Sequence, residues 1–327
     1  MPSALVAGAS GYAGALAAAL LQRHPRFDLV AVTSRSDVGT KLSDLYPYHR
    51  VALELEELDF DRHGQVDTAI VAYPHGASAP VVAALRERGV RVVDLSADFR
   101  LRDRDVYENW YVPHAHPELI WDAVYGLPEL RRAQIEGAHL VANPGCFPTA
   151  ALLALAPLAP WLRDVVIDAK TGVSGAGRAP TARTHFVSAN ENVSPYGIAG
   201  HRHTPEIDQE LASLGAPIAA TFVPHLVPLD QGELVSCYCT LQEPVDVDAL
   251  FTRAYAREPF VELTEAVPGV RDVRDTNFCR IHARYDDRTG KAFVFAAIDN
   301  LWKGASSQAV QNLNLMFGYD ETMGLIP

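Results

Sequence analysis

Short apolar segments alternate with helical segments in the first part of the chain, between residues 3 and 93. Residues 5–7 and 29–32 have the length and composition of buried strands, and the apolar residues from 13 to 20 recur at the spacing of one helix face. Regular alternation of strands and helices predicts right-handed βαβ units around a parallel sheet. We therefore expect an α/β, Rossmann-type domain, with Val141 and Ala142 in the strand that closes its sheet.

Beyond residue 146 the apolar runs become longer, alternate with polar residues, and are separated by turn-forming sequences such as Asp-Asp-Arg-Thr-Gly at 286–290. This pattern predicts an α+β domain with a mixed, largely antiparallel sheet. We place its strands at residues 165–170, 218–223, 234–241, 278–285 and 293–298, with a helix at 247–257.

The apolar face of residues 307–317 predicts a last helix that returns to the first domain. The predicted boundaries are therefore 1–145 for the Rossmann-type domain, completed by a C-terminal helix within 303–327. Residues 146–302 form the second domain.

The composition excludes several classes of protein. Of 327 residues, 28 are Lys or Arg and 40 are Asp or Glu, so the formal net charge of −12 opposes binding to nucleic acid. No apolar stretch is long enough for a transmembrane helix, and the N-terminus has no secretory signal. The four cysteines lack the paired spacing of a zinc site or a disulfide framework, so no metal is expected. The pattern indicates a cytoplasmic protein with reduced thiols.

A glycine-rich turn, Gly-Ala-Ser-Gly-Tyr-Ala-Gly at 8–14, follows the first strand and opens the first helix. Free backbone N–H groups and the helix dipole at such a turn favour a pyrophosphate. The spacing differs from the common G-x-G-x-x-G of dinucleotide-binding domains, and the alternative is a turn that is merely tight. The residues expected to bind a dinucleotide here are Gly8, Ser10, Gly11, Tyr12 and Gly14.

Arg35 follows the second predicted strand, where an NAD-selective domain usually carries Asp or Glu. A guanidinium can pair with the 2′-phosphate of NADP and stack on adenine, while Ser34 and Ser36 offer hydroxyl groups. The alternative is a solvated surface arginine. The sequence therefore favours NADP(H) as the cofactor.

Cys146 lies in the turn Asn-Pro-Gly-Cys-Phe-Pro-Thr at 143–149, between a strand and a helix. A helix N-terminus lowers the pKa of a thiol and favours the reactive thiolate. Cys237, Cys239 and Cys279 lie inside strand-like runs, where a cysteine is usually a small buried hydrophobic residue. Cys146 is thus the candidate nucleophile.

Two further segments carry candidate substrate-binding groups. The loop at 171–178 can present backbone donors and Arg178 to an oxyanion or a carboxylate, unless it is only a flexible surface loop. His201, Arg202 and His203 precede a helix expected at 206–214. Histidines two apart in an extended segment point to opposite sides, so we expect only one imidazole to face the thiol. Metal binding by this pair is the less favoured alternative.

Six segments make the chain resemble the N-acetyl-γ-glutamyl-phosphate reductases of arginine biosynthesis almost from end to end. They are GASGYAG at 8–14, DLSADFR at 94–100, NPGCFPT at 143–149, TGVSGAGR at 171–178, HRHTPEI at 201–207 and DNLWKGA at 299–305. The wider superfamily, including aspartate-semialdehyde dehydrogenase, shares the Rossmann-type domain and the cysteine turn but lacks HRHTPEI.

The resemblance implies NADPH-dependent reduction of an acyl phosphate to an aldehyde through a thioester on Cys146, in a homodimer or homotetramer. It implies that His203 is the acid/base, with His201 as the alternative. By the same resemblance, Asn300 and Gly304 would lie near the nicotinamide. The residues expected around the substrate are Ser96 and Arg100 at the phosphoryl group, with Asn143, Ser174, Gly175, Gly177, Arg178, Arg202 and Glu206 elsewhere.

The charges expected around the thiol favour one substrate. Arg178 or Arg202 can hold an α-carboxylate, and no acidic residue lies in 174–178 or 201–203. A free α-ammonium would need a carboxylate partner, whereas an acetamide needs none. We therefore expect N-acetylglutamyl phosphate to be preferred over aspartyl phosphate, although Glu206 could turn inward.

Gln231 is a departure from the family, whose members commonly carry an Arg-Gly pair at this point. A glutamine cannot supply that charge, so affinity or substrate choice can differ. The alternative functions are an aspartate-semialdehyde dehydrogenase-like enzyme, a reductase of a carrier-bound acyl group, and a catalytically silent NADP-binding regulator.

Overall fold

The computed structural model describes residues 1–326, which form two compact units. The first unit comprises Met1–Gly145 together with the chain from Ala305 onward, and the second comprises Cys146–Gly304. No helix within residues 1–326 is both long enough and apolar enough to cross a membrane.

The strands are, in chain order, β1 Ser3–Ala7, β2 Asp28–Thr33, β3 Leu55–Glu56, β4 Thr68–Val71, β5 Arg91–Asp94, β6 Val124–Tyr125, β7 Leu140–Ala142, β8 Leu162–Thr171, β9 Ser194–Pro195, β10 Thr221–Leu226, β11 Glu233–Leu241, β12 Val261–Leu263, β13 Cys279–Asp286 and β14 Lys291–Ile298. The α-helices are α1 Tyr12–Arg23, α2 Leu42–Leu45, α3 Phe60–His63, α4 Ala79–Glu87, α5 Arg104–Trp110, α6 Pro128–Ile135, α7 Cys146–Leu155, α8 Phe186–Ala189, α9 Thr204–Ser213, α10 Val247–Tyr255 and α11 Ser307–Met316. Short 3₁₀ turns occur at Pro47–His49, Pro117–Leu119, Ala156–Trp161, Val173–Ala176 and Val270–Val273, and a π-helical turn at Trp302–Ser306.

The first unit is built on a parallel sheet with the strand order β3-β2-β1-β4-β5-β7-β6. Its central strands are apolar and buried on both faces, as parallel strands between helices must be. The Rossmann-type fold class is confirmed. The expectation that Val141 and Ala142 close the sheet is wrong, because β6 pairs outside β7. β3 and β6 have only two residues each, too few for a periodic pattern to reveal.

The last helix, α11, packs within the first unit and is buried along its length. Its C-terminal end is held where Arg91 donates a hydrogen bond of 2.8 Å to the Met316 carbonyl. Asn312 donates to the Gly126 carbonyl and, at 3.0 Å, to the Asn143 side-chain oxygen. The final helix therefore fixes the end of β7, immediately before the cysteine turn.

The second unit is built on a seven-stranded sheet with the order β12-β13-β14-β11-β8-β10-β9. Four of its pairings are antiparallel and two, β12 with β13 and β10 with β8, are parallel, which confirms a mixed, largely antiparallel sheet. The predicted hairpin at 286–290 joins β13 and β14, with Gly290 at a φ of 67° donating 2.8 Å to the Asp286 carbonyl. The strand predicted at 218–223 lies at Thr221–Leu226, and the two short edge strands β9 and β12 were not predicted.

Helix α7 covers one face of this sheet, against β11 and β14. Every residue from Phe147 to Leu155 is buried, so the helix is apolar all round and is held inside the unit. The helix carries Cys146 at its first position. The position of the thiol is therefore set by the packing of the core.

Candidate active site

Cys146 is the first residue of α7 and is partly exposed, while its helix is buried. The first N–H groups of a helix have no partner within it, and they favour a negative charge at this end. Gly304 packs against the cysteine, since a Cβ at that position would lie 2.8 Å from the Cys146 Cβ. Gly304 is therefore required for close packing beside the nucleophile, whatever it contributes to the cofactor site.

The other three cysteines are buried in strands. Burial raises the pKa of Cys239 to about 12 and places the pKa of Cys237 well above its ordinary value. The thiols of Cys237 and Cys239 therefore remain protonated near neutral pH, in agreement with their expected role as small hydrophobic residues.

His201 and His203 lie together against Phe147, the residue that follows the nucleophile. Their ring centroids are 5.5 and 6.0 Å from that of Phe147 and 4.9 Å from each other. Both imidazoles therefore contact Phe147, and the expectation that only one of them faces the Cys146 thiol stays a prediction. The segment is a turn rather than an extended strand, and the His203 N–H donates to His201 Nδ1 at 3.1 Å.

The two imidazoles have different environments. His201 also packs against Tyr196 and Phe222, and burial lowers its pKa to about 4. Because Nδ1 of the neutral ring accepts the His203 N–H, its proton lies on Nε2. His201 is therefore neutral at physiological pH, and its Nδ1 holds the backbone N–H of His203.

The glycine-rich loop at 172–177 is held by backbone and side-chain contacts. Val173 and Ser174 donate to the carbonyls of Leu229 and Asp230, at 2.7 and 2.9 Å. Asn300 donates to the Ser174 hydroxyl at 3.0 Å and accepts from the Gly232 N–H at 2.7 Å. Asn300 thus joins two loops, a role that the sequence did not predict.

The remaining predicted substrate residues of the second unit differ in exposure. Gly175, Gly177, Arg178 and Arg202 are exposed. Glu206 is 1% exposed and lies in the first turn of α9. Within residues 1–326 no group of three or more His, Cys, Asp or Glu side chains has the arrangement of a metal site.

Gln231, where the family commonly has an arginine, bridges two carboxylates. Its amide nitrogen donates to Asp275 at 2.7 Å and to Asp299 at 2.8 Å. Burial raises the pKa of Asp299. Gln231 therefore places a neutral hydrogen-bond donor, rather than a cation, beside the buried Asp299. Its amide group still donates a hydrogen bond to each of the two carboxylates.

Sequence reasoning missed two residues of this site. Glu233 is fully buried, and its carboxyl interacts with the Cys146 thiol. The pKa of Tyr196 is raised, first by burial and then by the proximity of Cys146 and Glu233. An acid therefore lies near the thiol from outside the two segments, 174–178 and 201–203, that were expected to line the site. The signal for Glu233 in the sequence was a glutamate at the start of a largely apolar strand.

The glycine-rich turn of the first unit has the geometry of a nucleotide cradle. Gly8 has a φ of 90°, and a Cβ there would lie 2.6 Å from the Ala72 carbonyl oxygen. A Cβ on Gly14 would overlap the Gly8 carbonyl. Both positions therefore require glycine, and the backbone is open to an approaching phosphate.

The turn is supported from β2 and from the segment after it. The Ser34 hydroxyl donates to the Ser10 hydroxyl at 2.8 Å, and Tyr46 donates to the Ser10 carbonyl at 2.8 Å. Tyr12, at the start of α1, packs edge-on against Tyr46. Ser34 is buried, so its hydroxyl positions the phosphate-binding turn.

Arg35 is exposed, and its guanidinium lies 4.7 Å from the centroid of the Tyr73 ring. Ser36 is exposed beside it and donates to Asp37. An exposed cation at the end of the second strand is free to meet a ligand anion in solvent. The binding of a 2′-phosphate by these residues stays a prediction.

The predicted phosphoryl-binding residues of the first unit form a buried network. The Ser96 hydroxyl donates to Asp94 at 2.6 Å, and burial raises the pKa of Asp94 to about 6. Arg100 donates to the carbonyls of Asn143 and Leu95, each at 2.7 Å. These contacts fix the strand ends, and Arg100 directly orders the residue that begins the cysteine turn.

Comparison with known proteins identifies both units. Residues 3–138 match the family model for the semialdehyde dehydrogenase NAD-binding domain, and residues 146–300 match that for the semialdehyde dehydrogenase dimerisation domain. Among solved structures, aspartate semialdehyde dehydrogenase II from Vibrio cholerae aligns over 97% of this chain and 98% of its own, with a TM-score of 0.76 at 19% identity. The enzyme from Candida albicans, solved with NADP, covers the same shares at a TM-score of 0.73 and 15% identity. These likenesses establish the fold.

Curated relatives are much closer in sequence. The N-acetyl-gamma-glutamyl-phosphate reductase of Dehalococcoides mccartyi is 48% identical over 97% of this chain and 95% of its own. The enzymes of the same name from Moorella thermoacetica and Rubrobacter xylanophilus are 47% and 49% identical over 99% and 97% of this chain, and over 98% and 96% of their own. The chain therefore belongs to the N-acetyl-γ-glutamyl-phosphate reductase family, within the semialdehyde dehydrogenases.

Proposed function

We propose that this protein reduces N-acetyl-γ-glutamyl phosphate to N-acetylglutamate semialdehyde and phosphate in arginine biosynthesis, with NADPH as the reductant. The observation that carries the proposal is Cys146 at the N-terminus of a buried helix, with two imidazoles on the adjacent Phe147. A thiol, a nearby acid/base and a glycine-rich loop are the groups that acyl transfer through a thioester requires.

The chemistry of the chain's own residues follows from this arrangement. The Cys146 sulfur attacks the acyl carbon, the C–O bond to phosphate breaks, and a thioester forms. Bound NADPH supplies the hydride that reduces this thioester. His203 donates a proton to the oxygen that becomes negative. When the C–S bond of the hemithioacetal breaks, this hydroxyl proton returns to His203 and the electron pair of the C–S bond goes to the sulfur, which releases the aldehyde.

The buried acid beside the thiol bears on which substrate is accepted. Burial raises the pKa of Glu233 to about 8, so the carboxyl is mainly neutral at pH 7. A neutral acid gives no fixed negative charge to an α-ammonium, so the desolvation of a free amine remains uncompensated. The exposed Arg178 and Arg202 are the candidates for the α-carboxylate of an acetylated substrate.

A comparison of two acyl phosphates tests this function. We expect kcat/KM for enzymatically generated N-acetylglutamyl phosphate to exceed that for aspartyl phosphate by at least about 10²-fold, because an amine that finds no partner in the site costs several kcal/mol. NADPH oxidation provides the measurement. An equal or reversed preference would favour an aspartate-semialdehyde dehydrogenase-like activity, and no oxidation with either would favour a silent binder. A carrier-linked substrate would be indicated by activity only with a protein-bound acyl group.

The Arg35→Asp variant should reverse the cofactor preference. The substitution removes the cation suited to the 2′-phosphate and adds an anion that repels the phosphate and accepts from a ribose hydroxyl. The ratio of kcat/KM for NADPH to that for NADH should fall by about 10²-fold or more, the effect of losing a charge-assisted pair and gaining repulsion. Arg62→Asp, another exposed arginine of the same unit that pairs with Glu56, is the matched control. A ratio unchanged in Arg35→Asp would assign the 2′-phosphate to other residues.

We infer that the second unit mediates a homo-oligomer, either a dimer or a tetramer. Its matching family model is described as a dimerisation domain. The segment containing Phe186, Val187, Val193 and Ile198 exposes large apolar side chains, with Phe186 74% exposed. Light scattering should give a mass of two or four chains, and a monomeric mass would contradict the inference.

The free cysteines of this unit suit the reducing cytoplasm.

A further inference from the structure

Glu233 is a buried carboxyl beside the nucleophile. It begins β11 and lies between Thr171 of β8 and Ile298 of β14 in the sheet register. Its side chain is 0% exposed, and within residues 1–326 neither carboxyl oxygen has a hydrogen-bond partner of normal geometry. A buried polar group without a donor destabilises the fold. A replacement by an apolar residue would remove that cost, so the group has a use other than stability.

The groups that act on the pKa of this carboxyl include the Cys146 thiol and the Asp299 carboxyl. Burial raises the pKa of Glu233 to about 8, the Cys146 thiol and the Thr171 hydroxyl favour its charged form, and the Asp299 carboxyl opposes it. The Tyr196 phenol interacts electrostatically with both Cys146 and Glu233. Gln231, which contacts Asp299, adds a donor but no positive charge. A proton lost from the thiol therefore has a nearby acceptor in Glu233.

We infer that Glu233 and Cys146 form a proton-sharing pair, in which the carboxyl, in the minor fraction that is ionised near pH 7, accepts the thiol proton during acylation. The inference deepens the proposed function and rests on its thioester mechanism. In acylation the S–H bond breaks, its proton passes to the Glu233 oxygen, the S–C bond forms, and phosphate leaves with the C–O electron pair. When the hemithioacetal breaks down, the C–S electron pair returns to sulfur and Glu233 returns the proton. The pair is then ready for another cycle.

The energetics suit this exchange. An ordinary glutamate is far too weak a base to take a proton from a thiol, whose ordinary pKa is about 8.5. Burial raises the pKa of Glu233, so proton transfer from the thiol costs less free energy than it would with an ordinary glutamate. Two anions side by side in a buried site repel each other, so the second proton of the pair should be lost at a higher pH than the first.

Alkylation of Cys146 by iodoacetamide between pH 5 and pH 10, without substrate or cofactor, tests the pair. Its rate should show two inflections in the unmodified protein, separated by about one pH unit or more, and a single inflection in Glu233→Gln. Peptide mass spectrometry assigns the adduct to Cys146. Asp208→Asn is the matched control, because burial also raises the pKa of Asp208 but its carboxyl accepts from the Ala220 N–H. In single turnovers, Glu233→Gln should form the thioester about 10²-fold more slowly.

A second variant keeps the test decisive if Glu233→Gln fails to fold. Gln231→Arg places a cation against Asp299, which should move the lower inflection to a lower pH while two inflections remain. One inflection in the unmodified protein, two in Glu233→Gln, or an unshifted lower inflection in Gln231→Arg would each overturn the proton-sharing pair. Since alkylation uses no acyl phosphate, these outcomes are independent of the substrate assay that tests the proposed function.

Discussion

Cys146→Ser should lower kcat for reduction of N-acetylglutamyl phosphate by about 10⁴-fold or more, the scale of losses on removing a covalent nucleophile. A serine hydroxyl is a much weaker nucleophile than a thiolate near neutral pH, and the dipole of α7 does not compensate for that difference. The substituted side chain is smaller and lies at a partly exposed position, so the helix behind it keeps its core packing. NADPH oxidation measures the loss, while circular dichroism and NADPH titration report on the fold and on cofactor binding.

Cys239→Ser and Cys279→Ser serve as controls for this result. Both thiols are fully buried in strands of the second unit, so a serine there should reduce stability far more than it reduces kcat. An enzyme that kept its activity after Cys146→Ser would exclude the thioester mechanism. A loss of NADPH binding in the same variant would instead show that the fold had changed.

The fold was predictable where the regular pattern of hydrophobic and polar residues extends over several residues. Strands such as β1 and β11 and the helix α1 have several residues of regular pattern, and the expected segments lie within three residues of their observed bounds. The two-residue strands β3, β6 and β9 have no period to detect, because pairing with a longer neighbour is what makes them strands. The order of strands at the sheet edge therefore could not be read from the sequence.

The position of Cys146 at a helix N-terminus was predictable because its signal is local. A cysteine between a strand and a helix stands in a characteristic turn, whatever the rest of the chain does. The mutual arrangement of His201 and His203 was not predictable, since it depends on the hydrogen bond that turns the backbone between them. Glu233 was missed for a related reason. Its relation to Cys146 comes from the packing of α7 on β11, which brings together residues that are distant in sequence.

Several predicted ligand-binding side chains have structural contacts as well. Ser34 holds the Ser10 hydroxyl, and Ser96 donates to Asp94. A motif indicates which residues a turn needs, but not whether each side chain contacts the ligand or builds the backbone around it. Hydroxyl groups do both, because they donate and accept in short local contacts. The network of a site must therefore be read from its hydrogen bonds.

His203→Asn should lower kcat by about 10²–10⁴-fold, the usual contribution of a positioned acid/base, with a much smaller effect on KM for NADPH. The reason is the contrast between the two imidazoles on Phe147. His201 has a pKa lowered to about 4 by burial and accepts the His203 N–H, so it holds no additional proton to donate at neutral pH. An asparagine at position 201 can still accept that N–H, and His201→Asn should therefore lose much less activity. The pH profile of kcat separates the roles. In His203→Asn the part of the profile that reflects titration of the proton donor should disappear, whereas in His201→Asn it should remain. A larger loss in His201→Asn than in His203→Asn would reverse the assignment within the pair and leave the nucleophile unaffected.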